Sequence, residues 1–67
     1  MEEVRDCRGK LVCYVDGQTG TVEYKDGKRT ITGIFPVGGK AAFNTASAYT
    51  ILERINPKTF YVTSYPN

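Results

Sequence analysis

Apolar and polar residues alternate one by one through most of this chain, in short runs cut by Gly, Asp, Asn and Pro. Side chains at every second position fall on one face of an extended strand, so the pattern specifies half-buried β-strands joined by tight turns. In Leu11-Val12-Cys13-Tyr14-Val15, residues Leu11, Cys13 and Val15 share one face and Val12 and Tyr14 the other. Both faces are fairly apolar, as in a central strand. Val22 and Tyr24 point inward from Thr21-Val22-Glu23-Tyr24-Lys25, and the other three face water.

The punctuation is as informative as the runs. Val4-Arg5-Asp6 precedes a turn around Arg8-Gly9, and Asp16-Gly17-Gln18-Thr19-Gly20 makes another, with glycines that accept positive φ cheaply. Asp26-Gly27 is the strongest hairpin signal, a residue pair that type I′ turns favour. Arg29-Thr30-Ile31-Thr32 returns as the fourth strand. Gly33 suggests a bulge or bend within it. Pro36-Val37-Gly38-Gly39 ends it. Asn56-Pro57-Lys58 places Pro at the second position of a type I turn, and Thr59 to Tyr65 is the most strand-like stretch of all.

Residues 40–55 carry two patterns. As β, Lys40 to Asn44 sets Ala41 and Phe43 on one face, and Tyr49 to Ile55 forms a further strand rich in β-branched and aromatic residues. As α, Ala48, Ile51, Leu52 and Ile55 make a helical stripe, and Thr50 with Glu53 a capping box. The strand that follows the Asn56-Pro57 turn wants an antiparallel neighbour, which favours β. The expected fold is therefore all-β, one domain over residues 1–67. It is a small antiparallel meander of six or seven strands, rolled into a curled sheet or an SH3/OB-like barrel. The alternative is an α+β chain with one short helix at 46–55. The expected core is Leu11, Cys13, Val15, Val22, Tyr24, Ile31, Phe35, Phe43, Ile51, Ile55, Phe60 and Val62.

A chain of 67 residues has little surface to bury; one of about 60 hides only roughly 60% of what its unfolded form exposes. Stability on the order of a few kcal/mol follows unless something staples the fold. No histidine is present, and Cys7 and Cys13 are the only cysteines. Four Cys/His ligands for a structural zinc are therefore lacking, and no metal or cofactor is expected. A Cys7–Cys13 bridge would close a very short loop and restrict the unfolded state little. Met1-Glu2-Glu3-Val4-Arg5-Asp6 is charged from the start, unlike a secretory leader. No apolar run reaches membrane-spanning length. Two free thiols in a reducing, cytoplasmic compartment are expected. Self-association is then the remaining staple.

Little in the sequence supports catalysis. Cys7 lies between Arg5 and Arg8, whose charges favour a thiolate, but there is no histidine base and no second cysteine at C-x-x-C spacing. Cys13 alternates with Leu11 and Val15 as a small core residue does. Gly33-Ile34-Phe35-Pro36-Val37-Gly38-Gly39-Lys40 superficially suggests a phosphate-binding loop. The Walker pattern needs Lys directly after its second Gly, then Ser or Thr; here Gly39 intervenes and Ala41 follows. The carboxylates Glu2, Glu3, Asp6, Asp16, Glu23, Asp26 and Glu53 fall mostly in turns or on solvent-facing positions. They do not suggest a carboxylate pair across a cleft. The chain is expected not to be an enzyme.

The aromatic residues are the richer signal. Five Tyr and three Phe are present. Tyr14, Tyr61 and Tyr65 lie opposite the core positions of their own strands. Exposed tyrosines suit a protein interface. Together with Lys25, Lys28 and Arg29 they also suit a stacking surface for single-stranded nucleic acid. Nine Lys and Arg against seven Asp and Glu give a net charge of +2, interleaved along the chain, thin for a nucleic-acid protein. The strand over 59–65 is long and weakly charged; at a sheet edge it would template another chain, with Lys58 and Pro66 limiting the pairing. The leading expectation is a non-catalytic β-sheet interaction module that self-associates or binds a protein partner. The alternative is a weak single-strand nucleic-acid binder using Tyr14, Tyr61, Tyr65, Lys25, Lys28 and Arg29. No membrane role is expected. Val4 to Val12 with Asp16-Gly17 resembles the short β repeats of large bacterial surface toxins; the piece does not recur.

Overall fold

The computed structural model describes residues 1–67 and contains strands and turns only. Seven strands follow in chain order: β1 Glu2–Arg5, β2 Leu11–Asp16, β3 Thr21–Asp26, β4 Arg29–Ile34, β5 Lys40–Asn44, β6 Ala48–Asn56 and β7 Thr59–Pro66. All pairings are antiparallel between chain neighbours. The ladder is not continuous. It divides into a four-stranded sheet, β1-β2-β3-β4, and a three-stranded sheet, β5-β6-β7. The break falls at Pro36–Gly39, where Pro36 has no N–H to donate, Gly38 takes φ +89 and Gly39 N–H turns back to Pro36 O. The expected all-β antiparallel meander of seven strands is present, its ladder divided into two sheets packed on one another. The helix considered for 46–55 is β6.

The two sheets share one core. Val4, Cys13, Val15 and Val22 come from the four-stranded sheet and Leu52 from the three-stranded one. Tyr24, Phe35, Phe43, Phe60 and Val62 pack around them, as expected. Tyr24 meets Phe43 edge-on at 5.3 Å, and Phe35 meets Phe60 at 6.1 Å, tying the two sheets together. Ile31 is half-buried.

Three expected core residues lie elsewhere, and two β-bulges explain all of them. Between β6 and β7 the register runs Asn56↔Thr59 and then Arg54↔Phe60, leaving Ile55 as the extra residue. A one-residue slip exchanges the faces of everything beyond it. Leu52 therefore pairs with Val62 and is fully buried, whereas Ile51 turns outward and Ile55 is 45% exposed. In the same way β1 and β2 pair Val4↔Cys13 and then Arg5↔Leu11, with Val12 extra. Leu11 is exposed and Val12 packs on the core.

Gly33 is no bulge; it pairs regularly with Val22. The hairpin after β3 also differs from the I′ expectation. Asp26 pairs with Arg29, so the loop is Gly27-Lys28 with φ +64 at Gly27 alone, the sign pattern of a II′ turn. Asp6 is outside β1 and organises the following turn, accepting from the N–H groups of Arg8 and Lys10 at 2.9 and 3.0 Å.

Arg54 is the main polar fastener. Its guanidinium donates to Phe35 O at 2.8 Å, Pro57 O at 2.9 Å and Gln18 O at 3.4 Å, joining three loops. Its backbone accepts from Gly38 N–H and donates to Gly39 O. Gly20, at φ +80, lies beneath this group, and a Cβ there would sit 2.5 Å from Arg54 Nη1 and 2.6 Å from Phe35 O.

Candidate interaction surface

The outer face of the three-stranded sheet is built by three cross-strand rows. They are Lys40–Glu53–Tyr61, Ala42–Ile51–Thr63 and Asn44–Tyr49–Tyr65. Tyr61 is 59% exposed, Tyr65 54%, Ile55 45% and Tyr49 37%. Lys40 and Glu53 are the only charged members of the rows, and they lie 4.0 Å apart. The face thus combines tyrosine and isoleucine with almost no charge, the composition of an interface centre.

The six residues singled out in the sequence fall into separate groups. Tyr61 and Tyr65 share the face just described. Tyr14 lies on the outer face of the four-stranded sheet, paired with Glu3 on one side and Glu23 on the other. Lys25 joins Tyr14 there. The β2–β3 ladder holds only from Tyr14 to Asp16, and beyond it the strands diverge around a cleft of about 260 Å³ lined by Leu11, Tyr14, Tyr24 and Lys25. Lys28 occupies the hairpin turn. Arg29 follows it, with its guanidinium 3.2 Å from Asp26. The three tyrosines therefore do not form one stacking track.

Tyr49, Ile51 and Ile55 complete the tyrosine face and were not among those six. Their parity is ambiguous in sequence, because each face of β6 carries one charge, Glu53 on one and Arg54 on the other. Only the bulge decides between them.

Chemical groups elsewhere are spread out. No three His, Cys, Asp or Glu side chains come together as a metal site would need. Cys13 is buried, and loss of hydration pushes its thiol up to about 11, which makes it inert near neutral pH. Cys7 is exposed, and its backbone N–H donates to Ser64 Oγ at 2.9 Å. No helix is long and apolar enough to cross a membrane. Comparison with family models, curated proteins and solved structures finds no match to this chain.

Proposed function

We propose that this chain is a non-catalytic β-sheet interaction module whose ligand is a protein surface, either another copy of itself or a different chain. The observation that carries this reading is the uncovered, charge-poor face bearing Tyr49, Ile51, Ile55, Tyr61 and Tyr65. Tyrosine supplies large contact area with few rotatable bonds, and depletion of charge lowers the cost of removing water. The position of β7 adds to it. This strand is the free edge of its sheet and carries no charged residue from Thr59 to Asn67. A cytoplasmic setting belongs to the same reading, supported by two cysteines that remain free thiols.

Single-strand nucleic-acid binding has less support, because the aromatic and basic groups it would need are divided between faces. A labelled oligo-dT titration at low and high salt separates the two readings. The protein-binding reading expects no association. Binding that weakens steeply with salt, and is lost when Lys25 and Lys28 are replaced by Ala, would replace it with the nucleic-acid one.

A further inference from the structure

We infer that the partner of the tyrosine face is a second copy of the same face, stacked sheet on sheet in a two-fold dimer. This inference rests on the protein-binding reading above and names its partner and symmetry.

Shape is the first support. The molecule is a slab of 30 × 26 × 16 Å, so its broad sides are the outer faces of the two sheets. β6 has nine residues, which at about 3.4 Å each gives a face about 30 Å long, and three strands at about 4.8 Å make it about 14 Å wide. Each copy can therefore cover roughly 400 Å² in projection, so a stacked pair buries roughly 800–1,000 Å², below the standard size of stable interfaces and in the range of weak, transient ones. Surface area agrees in direction. A folded monomer of 7.4 kDa exposes roughly 4,200 Å², and this chain exposes 4513 Å².

Charge selects the second copy over an arbitrary partner. Lys40 and Glu53 are the face's only charges, one of each sign, already paired. A two-fold contact brings a surface against itself, so any net charge would repel its own image. This face has none. The opposite side of the slab is also neutral in sum, but it carries four charged side chains, Glu3, Arg5, Glu23 and Lys25, whose water a stacked contact would have to strip. The same two-fold arrangement sets the uncharged row Ala42–Ile51–Thr63 at the centre of the contact, with tyrosines on both sides of it.

The expected complex is a weak dimer that dissociates on dilution, since area of this size leaves little surplus after the cost of association. Sedimentation velocity over a concentration series is the first measurement. The wild type should pass from monomer to dimer and stop there. Ile51→Lys and Tyr61→Lys should each weaken dimerisation by at least roughly tenfold. Both substitutions lie on the outer face, and circular dichroism verifies that each variant keeps its strands.

Crosslinking gives an independent readout. In a Cys7→Ser background, Thr63→Cys, in the middle row, should give a covalent dimer with a short bis-maleimide, since stacked sheets about 10 Å apart lie beyond the reach of a direct disulfide. Thr32→Cys, on the outer face of the four-stranded sheet, should not. A dimer unaffected by both lysine substitutions, or crosslinked as well by the Thr32→Cys variant as by the Thr63→Cys variant, would overturn the two-fold stack. It would leave self-association through another surface, the β7 edge first. A wild type that remains monomeric at every concentration overturns the stack as well. The oligonucleotide titration then decides separately whether the protein-binding reading survives.

Discussion

The two sheets of this protein distribute polarity in opposite ways. In the four-stranded sheet Val4, Cys13, Val15 and Val22 face inward, and Glu3, Arg5, Glu23, Lys25, Thr30 and Thr32 face out, with Leu11, Tyr14 and Ile34 set singly among them. That is the arrangement a sheet takes when water covers its second side. In the three-stranded sheet the inner face includes Thr50, Ser64 and Arg54, and the outer face carries Tyr49, Ile51, Ile55, Tyr61 and Tyr65. Its inward polar groups are tolerated because each has partners, with Arg54 Nε alone left unpaired among their atoms. Thr50 Oγ1 and Ser64 Oγ lie 3.0 Å apart, Ser64 also receives Cys7 N–H, and Arg54 reaches three carbonyls. A buried polar group costs little once its hydrogen bonds are made. The exterior tyrosines and isoleucines lie in adjoining cross-strand rows with a single ion pair among them, and that contiguity is the physical basis for the binding role proposed for this sheet.

The sharpest way to break the contrast is to exchange residues across β6. Leu52→Ala removes a fully buried side chain at the junction of the sheets and should cost about 2–5 kcal/mol. That is comparable with the whole stability of a domain this small, on the order of a few kcal/mol, so the variant should be largely unfolded in the absence of denaturant. Ile55→Ala, only three residues away, should shift stability by about 0.5 kcal/mol or less. Urea unfolding followed by circular dichroism measures both. Equal losses for the two would mean that the bulge does not exist and that Ile55 belongs to the core.

Arg54 offers a second test, of the polar interior. Arg54→Ala leaves the carbonyls of Phe35 and Pro57 without their side-chain donor, an expected loss of about 2–3 kcal/mol. Gly20→Ala should also destabilise, through strain at φ +80 and by displacing the guanidinium. The two changes share one contact, so their effects should add to less than their sum in a double-mutant cycle. Strict additivity would show that Gly20 is required for its backbone alone.

Much of this architecture could be read from residue alternation and turn chemistry. All seven strands follow from runs such as Thr21–Lys25 and from the turns at Asp16–Gly20, Gly27-Lys28 and Pro57-Lys58. The exposure of Tyr61 and Tyr65 followed from the same parity. What could not be read was the parity of β6 and of the start of β2. A bulge is one unpaired residue, and neither Ile55 nor Val12 has a chemistry that marks it as extra. The division into two sheets was also hidden, because Pro36 to Gly39 reads equally well as a turn within one ladder. The candidate face was therefore half legible: the β7 tyrosines were visible, whereas Tyr49, Ile51 and Ile55 needed the register.

The smallest expected effect compares the two ends of β1. Glu3 ties to Arg5 in an exposed pair at 3.2 Å, with both side chains about half in water, and such a pair contributes little. Asp6, just beyond the strand, is buried in its turn. Loss of hydration pushes its carboxyl up, but the N–H groups of Lys10 and Arg8 and the charge of Lys10 outweigh this and hold it below the usual aspartate range. The unfolded chain then binds a proton more readily than the folded one. Stability from this group is fully present above the ordinary aspartate pKa and is lost as pH falls through the depressed folded value. Urea midpoints measured through the acid range should show that loss in the wild type. Asp6→Asn keeps an acceptor oxygen for both N–H groups but has no proton to gain, so its midpoint should fall less over the same window. Equal acid sensitivity in the two proteins would assign the effect to other carboxylates and leave Asp6 as a purely geometric turn residue.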